Sequence, residues 1–161
     1  MKHIQLDDLN EMSKIYRLNL VNSITGYKSA HLIGSQSLDG KNNVAVFSSV
    51  IHLGSNPALI GFILRPTSVP RHTYSNIKAT GVFTLNAITK KQIKDAHHTS
   101  AKKHEEISEF DKTNLKIEKK GDWNAPFVKD VPIQMGCRYQ NEYHIKENDT
   151  KLIVASVEHF Y

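Results

Sequence analysis

A mainly β domain, curled into a barrel and decorated with short helices, is the fold class this sequence predicts. Three observations predict it. Apolar and β-branched runs recur along most of the 161 residues and are separated by turn signals. Segments with helical periodicity are few and short. Long apolar strands such as Asn43–Leu53 would expose unprotected edges unless the sheet closed on itself. The length fits one domain, residues 1–161, with a core that needs no covalent staple.

The elements follow in order. Leu6 to Ile15 reads as a short helix, with Asp7 and Asp8 at the end where the helix dipole favours negative charge. Ala30–Ser37 and Asn43–Leu53 read as strands joined by Leu38-Asp39-Gly40-Lys41-Asn42, whose Asp-Gly pair is a hairpin signal. Ala58–Leu64 is a continuous apolar run, the pattern of a strand buried on both faces. Arg65 to Pro70 carries two prolines and reads as a loop. Thr73 to Ala79 is a short helix stopped near Gly81. Val82–Ile88 is another buried strand, and Lys90 to Phe110 is a polar helix or ordered loop over the sheet. Leu115–Lys119 reads as a short strand, and Trp123 and Phe127 flank Pro126 in a connector. Ile133–Ile145 and Lys151–Tyr161 alternate as the last two strands, turning at Glu147-Asn148-Asp149. The chain stops on a strand at Tyr161, so either it is truncated there or that strand pairs with another subunit.

No run approaches the roughly 18 apolar residues of a membrane span. Met1 to Glu11 holds no apolar leader. Cys137 is the only cysteine, so no intrachain disulfide forms, and a lone thiol without a leader points to the cytoplasm. The net charge is +5, with much of the excess in Lys90–Lys103 and Lys112–Lys120. These runs read first as solvated surface; the alternative is an anionic partner, nucleic acid or a phosphorylated cofactor. The runs lack interleaved aromatics, which weighs against nucleic acid.

Several residues are candidates for chemistry. Helix N-termini bind phosphate through free N–H groups and the positive dipole end. Arg71 stands just outside the Thr73–Ala79 helix, Thr73 can cap it, and Arg65 ends the preceding strand. The plainer reading is two solvated arginines and an N-cap. His97, His98 and His104 suggest a metal by residue type, and His97 and His104 are seven apart. No cysteine or carboxylate completes a tetrahedral set, so no metal is expected. G-x-G-x-x-G, Walker A, G-x-S-x-G and H-E-x-x-H motifs are all missing.

The segment from Asn43 to Ile88 carries a resemblance. Asn43-Val44-Ala45-Val46-Phe47-Ser48-Ser49-Val50, after the Asp-Gly turn, is similar to an N-x-A-x-x-S-S strand, and Asn56-Pro57-Ala58-Leu59 to a P-P-L-v strand. Arg71-His72-Thr73-Tyr74-Ser75-Asn76-Ile77 and Thr80-Gly81-Val82-Phe83-Thr84-Leu85-Asn86 resemble R-x-T-x-x-N-I and tG-x-F-x-x-N. Weaker matches follow at Ala96-His97-His98-Thr99-Ser100, Ser108-Glu109-Phe110-Asp111, Val131-Pro132 and Cys137. In this order, across roughly residues 20–161, they resemble the flavin-reductase-like, FMN-binding split β-barrels.

The resemblance implies a homodimeric six-stranded, Greek-key-like barrel with FMN near the dimer interface. Either NADH or NADPH would reduce the flavin, which then serves free flavin, an acceptor protein or a partner oxygenase, or a tightly held flavin would carry electrons without turnover. The backbone of Asn43, Val44, Ala45 and Val46 would meet the isoalloxazine ring. Ser48 and Ser49 would reach ribityl or phosphate oxygens. Arg65, Arg71 and Thr73 would take the phosphate, and Lys28 the N1–O2 edge of the ring. Asn76 matches a recurrent position, and His98 and Ser100 lie in a segment near the cofactor. No catalytic residue is assigned. Many flavin reductases carry G-D-H before the last strand; here the stretch is Asn148-Asp149-Thr150-Lys151, with Thr150 where the histidine would stand. That departure bears on nicotinamide chemistry more than on flavin binding.

Overall fold

The computed structural model describes residues 3–101 and 107–161. Two helices come first, α1 (Leu6–Glu11) and α2 (Lys14–Ser23), where the sequence predicts one. The break is local. Met12 is extended, and the Ser13 hydroxyl caps a new helix by accepting from Tyr16 N–H.

Seven strands form one antiparallel sheet: β1 (His31–Gln36), β2 (Asn42–Phe47), β3 (Ile51–Ser55), β4 (Ala58–Leu64), β5 (Val82–Ala87), and, after two short strands, β8 (Ile133–Ile145) and β9 (Thr150–Phe160). Their order is β2-β1-β5-β8-β9-β4-β3. The short strands β6 (Ile117–Glu118) and β7 (Phe127–Val128) pair separately. Helix α3 (His72–Thr80) follows β4, and α4 (Ile93–His98) follows β5 through a 3₁₀ turn at Lys90–Gln92. A second 3₁₀ turn lies at Glu109–Lys112.

The strand count corrects the expected six. The predicted Asn43–Leu53 strand is two, broken at Ser48-Ser49-Val50. The break explains the curl of the sheet. β2 and β3 are its opposite edges, yet Phe47 and Ile51 are joined by a link that reaches roughly 14 Å at most. A flat sheet of seven strands at about 4.8 Å spacing would set its edges about 29 Å apart. The sheet must therefore curl until its edges nearly meet. It does not close: β2 and β3 share no ladder, contrary to the fully closed barrel expected. The Ser49 hydroxyl splices the gap instead, accepting from Ile63 N–H (3.1 Å) and donating to Ile63 O (3.2 Å).

The curled sheet encloses one core: Ile33, Ile60, Phe62, Leu64, Ile77, Phe83, Leu85, Cys137, Ile153 and Ala155. Phe47 and Phe83 both meet Phe62 edge-on, at 5.1 and 5.7 Å between ring centres. A second core lies outside the barrel wall. Leu32 and Val44 point outward and pack under Ala96 of α4, Phe110, Leu115 and Val128. The β1–β2 turn has Gly40 at φ 85°, which glycine adopts without strain.

Candidate functional site

The strand β2 and the N-terminus of α3, the two halves of the expected cradle, meet in the structure. Asn43 of β2 reaches Thr73 at 3.0 Å and Ser35 at 3.3 Å, and Asn76 donates to Ser35 Oγ at 3.2 Å. All four side chains are buried. Turned with its nitrogen toward Glu109 Oε2 (3.1 Å), the Asn43 amide has its oxygen left to accept from Thr73 and Ser35. Buried polar groups at this junction satisfy one another and fix α3 against the barrel. Asn43, Thr73 and Asn76 are thus brought together, with their side chains engaged inward.

The start of α3 keeps anion-binding character. Its cap residue, Arg71, is extended and makes no capping bond with its side chain. The Arg71 guanidinium donates from Nε to Pro66 O at 3.3 Å, using one of its five N–H donors. Arg65 is exposed at the end of β4, two residues past the Ile63–Ser49 splice. The two arginines bracket the loop into an uncapped helix end, and this donor set fits a phosphate.

The outer edge of β2 holds the ring-side candidates. Val46 N–H donates to Thr99 Oγ1 at 2.9 Å, and Ser108 Oγ donates to Asn42 O at 2.7 Å. Backbone groups alternate in direction along a strand, so Val44 faces the same edge between those contacts. The Val44 side chain is buried in the outer core, with Val46 packed against it and the small Ala45 half-buried between them. Ser48 is exposed, and the Ser49 hydroxyl is committed to Ile63. Lys28 is exposed in the link before β1. His98 and Ser100 are exposed, with Ser100 donating to His97 O. No group of metal ligands occurs among the described residues, and His104 lies outside them.

Three groups at this site escaped the sequence reading. Thr99, between two of the candidates, is the residue that touches β2; residue type alone gives no signal for it. His31 opens β1, opposite Phe47 of β2 and Ala87 of β5. Its Nδ1 is buried without a hydrogen-bond partner among the described residues, and burial pushes its pKa down. Strand alternation from Ile33 was the available signal. The third is a network at the far end of the β8–β9 hairpin. Lys151 Nζ donates to Glu142 Oε1 (2.7 Å) and to Tyr74 (3.0 Å), and Lys78 Nζ donates to Tyr139 (2.8 Å). Burial would raise Glu142, but hydrogen bonds from Lys151 and Tyr74 and the charges of Lys151 and Lys78 outweigh it and hold the carboxyl at about 2.

At the same hairpin, Asn148 Oδ1 accepts from both N–H and Oγ1 of Thr150, so the threonine in the histidine position is a buried turn cap. Across the turn, His144 Nε2 lies 2.8 Å from Asp149 Oδ1. A cavity of about 270 Å³ opens elsewhere, between the β1–β2 hairpin and the loop around Trp123. None of its lining residues comes from α3 or the Ser48–Val50 link.

Comparison with known proteins agrees with the fold. The flavin reductase like domain matches residues 28–161. A crystallised protein from Shewanella frigidimarina NCIMB 400, provisionally assigned as a flavin reductase with split barrel domain, is 37% identical. It superposes with a TM-score of 0.95 over 100% of this chain and 80% of its own. Nitrilotriacetate monooxygenase component B from Bacillus cereus is 20% identical, with a TM-score of 0.83 over 100% of this chain and 81% of that one. Flavoredoxin of Desulfovibrio vulgaris (Miyazaki F) is 18% identical, with a TM-score of 0.72 over 84% and 70%. The last two establish the fold alone. No curated protein sequence matches.

Proposed function

The chain belongs to the flavin reductase like domain family, and on that premise we propose that it is an FMN-binding oxidoreductase taking hydride from NADH or NADPH. FMN, when bound, supplies the redox chemistry. The chain's residues bind and orient it. Arg65 and Arg71 receive the phosphate at the uncapped start of α3, and the outer edge of β2 from Asn43 to Val46 flanks the ring. Ser48 and Lys28, both exposed, are available to the ribityl chain and the N1–O2 edge. Asn43, Thr73 and Asn76 hold the strand against the helix. His98 and Ser100 border the same edge beyond Thr99. The observation that carries the reading is the junction of β2 with α3 at Asn43–Thr73, which sets a strand edge beside an anion-binding helix end.

Two copies of this domain, residues 1–161, make the working unit in this reading. The half of the barrel wall that the described residues leave bare supports it. Ile51, Leu53 and Tyr143 are exposed there, and Leu59, Ile63, Leu152 and Val154 are only half-buried. A contiguous apolar face of this kind marks a protein contact. Cytoplasmic residence suits the single thiol, which burial pushes up to about 12. No helix among the described residues is long and apolar enough to cross a membrane.

A second reading is supported by Thr150. With the histidine position filled by a turn cap, the domain serves as an electron carrier for an acceptor protein, without nicotinamide turnover. One experiment separates the readings. The purified protein with FMN is followed by visible absorption during titration with NADH and with NADPH. Bleaching of the visible flavin band with either nucleotide supports the reductase. Stoichiometric FMN that dithionite reduces and neither nucleotide does supports the carrier. Absence of FMN binding sinks both.

A further inference from the structure

The carboxylate of Glu142 faces inward from the sheet. Ile153 and Ala155 of β9 belong to the core, and their partners across the β8–β9 ladder are Glu142 and Tyr139. Cross-strand partners share a face. Glu142 and Tyr139 therefore share the inner face although they stand three apart, a spacing that puts side chains on opposite faces of a regular strand. A bulge between Tyr139 and Asn141 makes the difference. Its extra residue resets the alternation and turns the carboxylate inward.

There it meets one face of α3, where Tyr74 and Lys78 stand one turn apart. Tyr74 donates to Glu142 Oε1 at 2.9 Å, and Lys151 Nζ donates to the same oxygen at 2.7 Å. Tyr139 donates to Oε2 at 3.2 Å, and Lys78 Nζ lies 3.5 Å from it. Phenols and ammonium groups from α3, β8 and β9 thus converge on one side chain. What they hold is the start of α3. The first backbone bond of that helix runs from Ser75 N–H to Arg71 O at 3.0 Å, so the N–H groups of Thr73 and Tyr74 have no acceptor inside the helix. These are the donors that a helix end offers an anion. The Thr73 side chain is tied to Asn43 of β2 at 3.0 Å. Successive side chains on a helix stand about 100° apart, so Asn43 and Glu142 hold the same turn from two sides. On either tie alone the turn could pivot; on both it is fixed.

We infer that Glu142 is a positioning residue for the flavin phosphate: acting through the Tyr74 hydroxyl, it fixes the amides at the start of α3 that receive the anion. The inference rests on the phosphate placement proposed above and is independent of which nucleotide reduces the flavin. Glu142 itself touches no flavin atom. It sets the aim of groups that do, which is what a supporting shell of hydrogen bonds gives a binding site.

The test compares FMN with riboflavin, which has no phosphate, on the full chain at pH 7. Fluorescence quenching gives both dissociation constants for the parent and for Tyr74→Phe, Glu142→Gln and Arg71→Ala. Tyr74→Phe keeps the ring packed against the core and removes only the hydroxyl. It is expected to weaken FMN binding about three- to tenfold, the range of one lost hydrogen bond, and to leave riboflavin binding unchanged. Glu142→Gln keeps the shape without the charge and is expected to move FMN in the same direction. Urea melts show which variants are folded, and Glu142→Gln decides alone if Tyr74→Phe is not. An equal loss for both flavins overturns the inference, because a general loosening of the fold does not single out the phosphate. An unchanged ratio of FMN to riboflavin affinity in both variants, while Arg71→Ala lowers that ratio, overturns it too and leaves the phosphate placement standing. A parent that binds the two flavins alike overturns the placement and the inference together.

Discussion

The outer wall of the barrel is finished on one side and bare on the other. Around β2, β1 and β5 the chain supplies its own cover: α4, the 3₁₀ turn at Glu109–Lys112 and β7 bury Leu32, Val44 and Val128 completely. The polar groups are satisfied as fully. Asn86 donates to Leu32 O and accepts from Val128 N–H, and Thr84 Oγ1 donates to Pro126 O. Around β9, β4 and β3 nothing among the described residues plays this part, and the same outward-facing positions carry exposed or half-buried apolar side chains. One half of the wall is covered by the chain's own helices and loops; the other presents its apolar side chains outward. Between them runs the seam at Ser48–Val50 and the start of α3, where the cofactor site is proposed.

Two glycines on this outer wall, one in each half, give the sharpest test of the contrast. A Cβ at Gly34 would collide with the backbone oxygen of Pro126 and with Thr84 Oγ1. Backbone cannot move aside cheaply, so Gly34→Ala is expected to cost about 3 kcal/mol, combining overpacking with loss of the Thr84–Pro126 bond. A Cβ at Gly61 would meet the Cδ1 atoms of Leu53 and Leu152 at 3.0 and 3.1 Å, and Ile153 O at 3.1 Å. Two of those three are flexible side-chain ends facing open space, so Gly61→Ala is expected to cost about 1 kcal/mol. Urea denaturation of both variants measures the pair. Equal costs would mean that the bare half is packed as rigidly as the covered one.

At the seam, Arg71→Ala is expected to weaken FMN binding by about 10- to 100-fold, the loss of one charged hydrogen-bond set worth about 1.5–3 kcal/mol. Riboflavin, which lacks the phosphate, provides the internal control and should bind both proteins alike. A matching loss for riboflavin would move Arg71 from the phosphate to the ring or to the scaffold. Fluorescence quenching of each flavin reads the result.

How much of this was legible beforehand follows the same division. Ala58–Leu64, a continuous apolar run, and Ile133–Ile145, an alternating one, run to the predicted residue. The Asn43–Leu53 run was read as one strand because its composition is uniform, while its break is imposed by topology, which single-sequence periodicity does not encode. The second N-terminal helix was missed because its apolar residues, Ile15, Tyr16, Leu18, Val21 and Ile24, cover no single face and bury nothing in the chain. In the site, Arg71 and Thr73 were readable from their place beside a helix start. That Asn43, Thr73 and Asn76 turn inward was not, since it depends on Ser35, a buried strand serine with nothing in its neighbours to mark it. His31 was likewise hidden, because its orphaned Nδ1 is a consequence of its strand partners.

On the bare half, the Glu142 network should make a pH-dependent contribution. The folded carboxyl is held at about 2 against a usual 4.5, so it stabilises the fold above pH 4.5. That stabilisation is lost as the pH falls through 4.5 toward 2. The group is part-exposed, so screening reduces the contribution to about 1–2 kcal/mol. Glu142→Gln should therefore be less stable than the parent at pH 7, with the gap closing at pH 2. Urea melts at both pH values measure it. A gap that persists at pH 2 would assign the effect to packing of the side chain rather than to its charge.

The smallest effect tests the seam itself. Ser49 lies where the two edges of the sheet almost meet, and its hydroxyl stands in for the missing ladder between β2 and β3 by bonding both backbone groups of Ile63 in the neighbouring β4. Ser49→Ala should cost about 1 kcal/mol, because Ile63 N–H is only part-buried and water can replace one partner. Its one hydrogen is already given to Ile63 O, so it has no proton left to donate to a phosphate. The variant is therefore expected to lower stability and leave FMN affinity unchanged. Lost affinity at unchanged stability would mean that the hydroxyl turns to the cofactor when FMN binds, and that the seam is an opening into the site rather than a splice holding the two halves together.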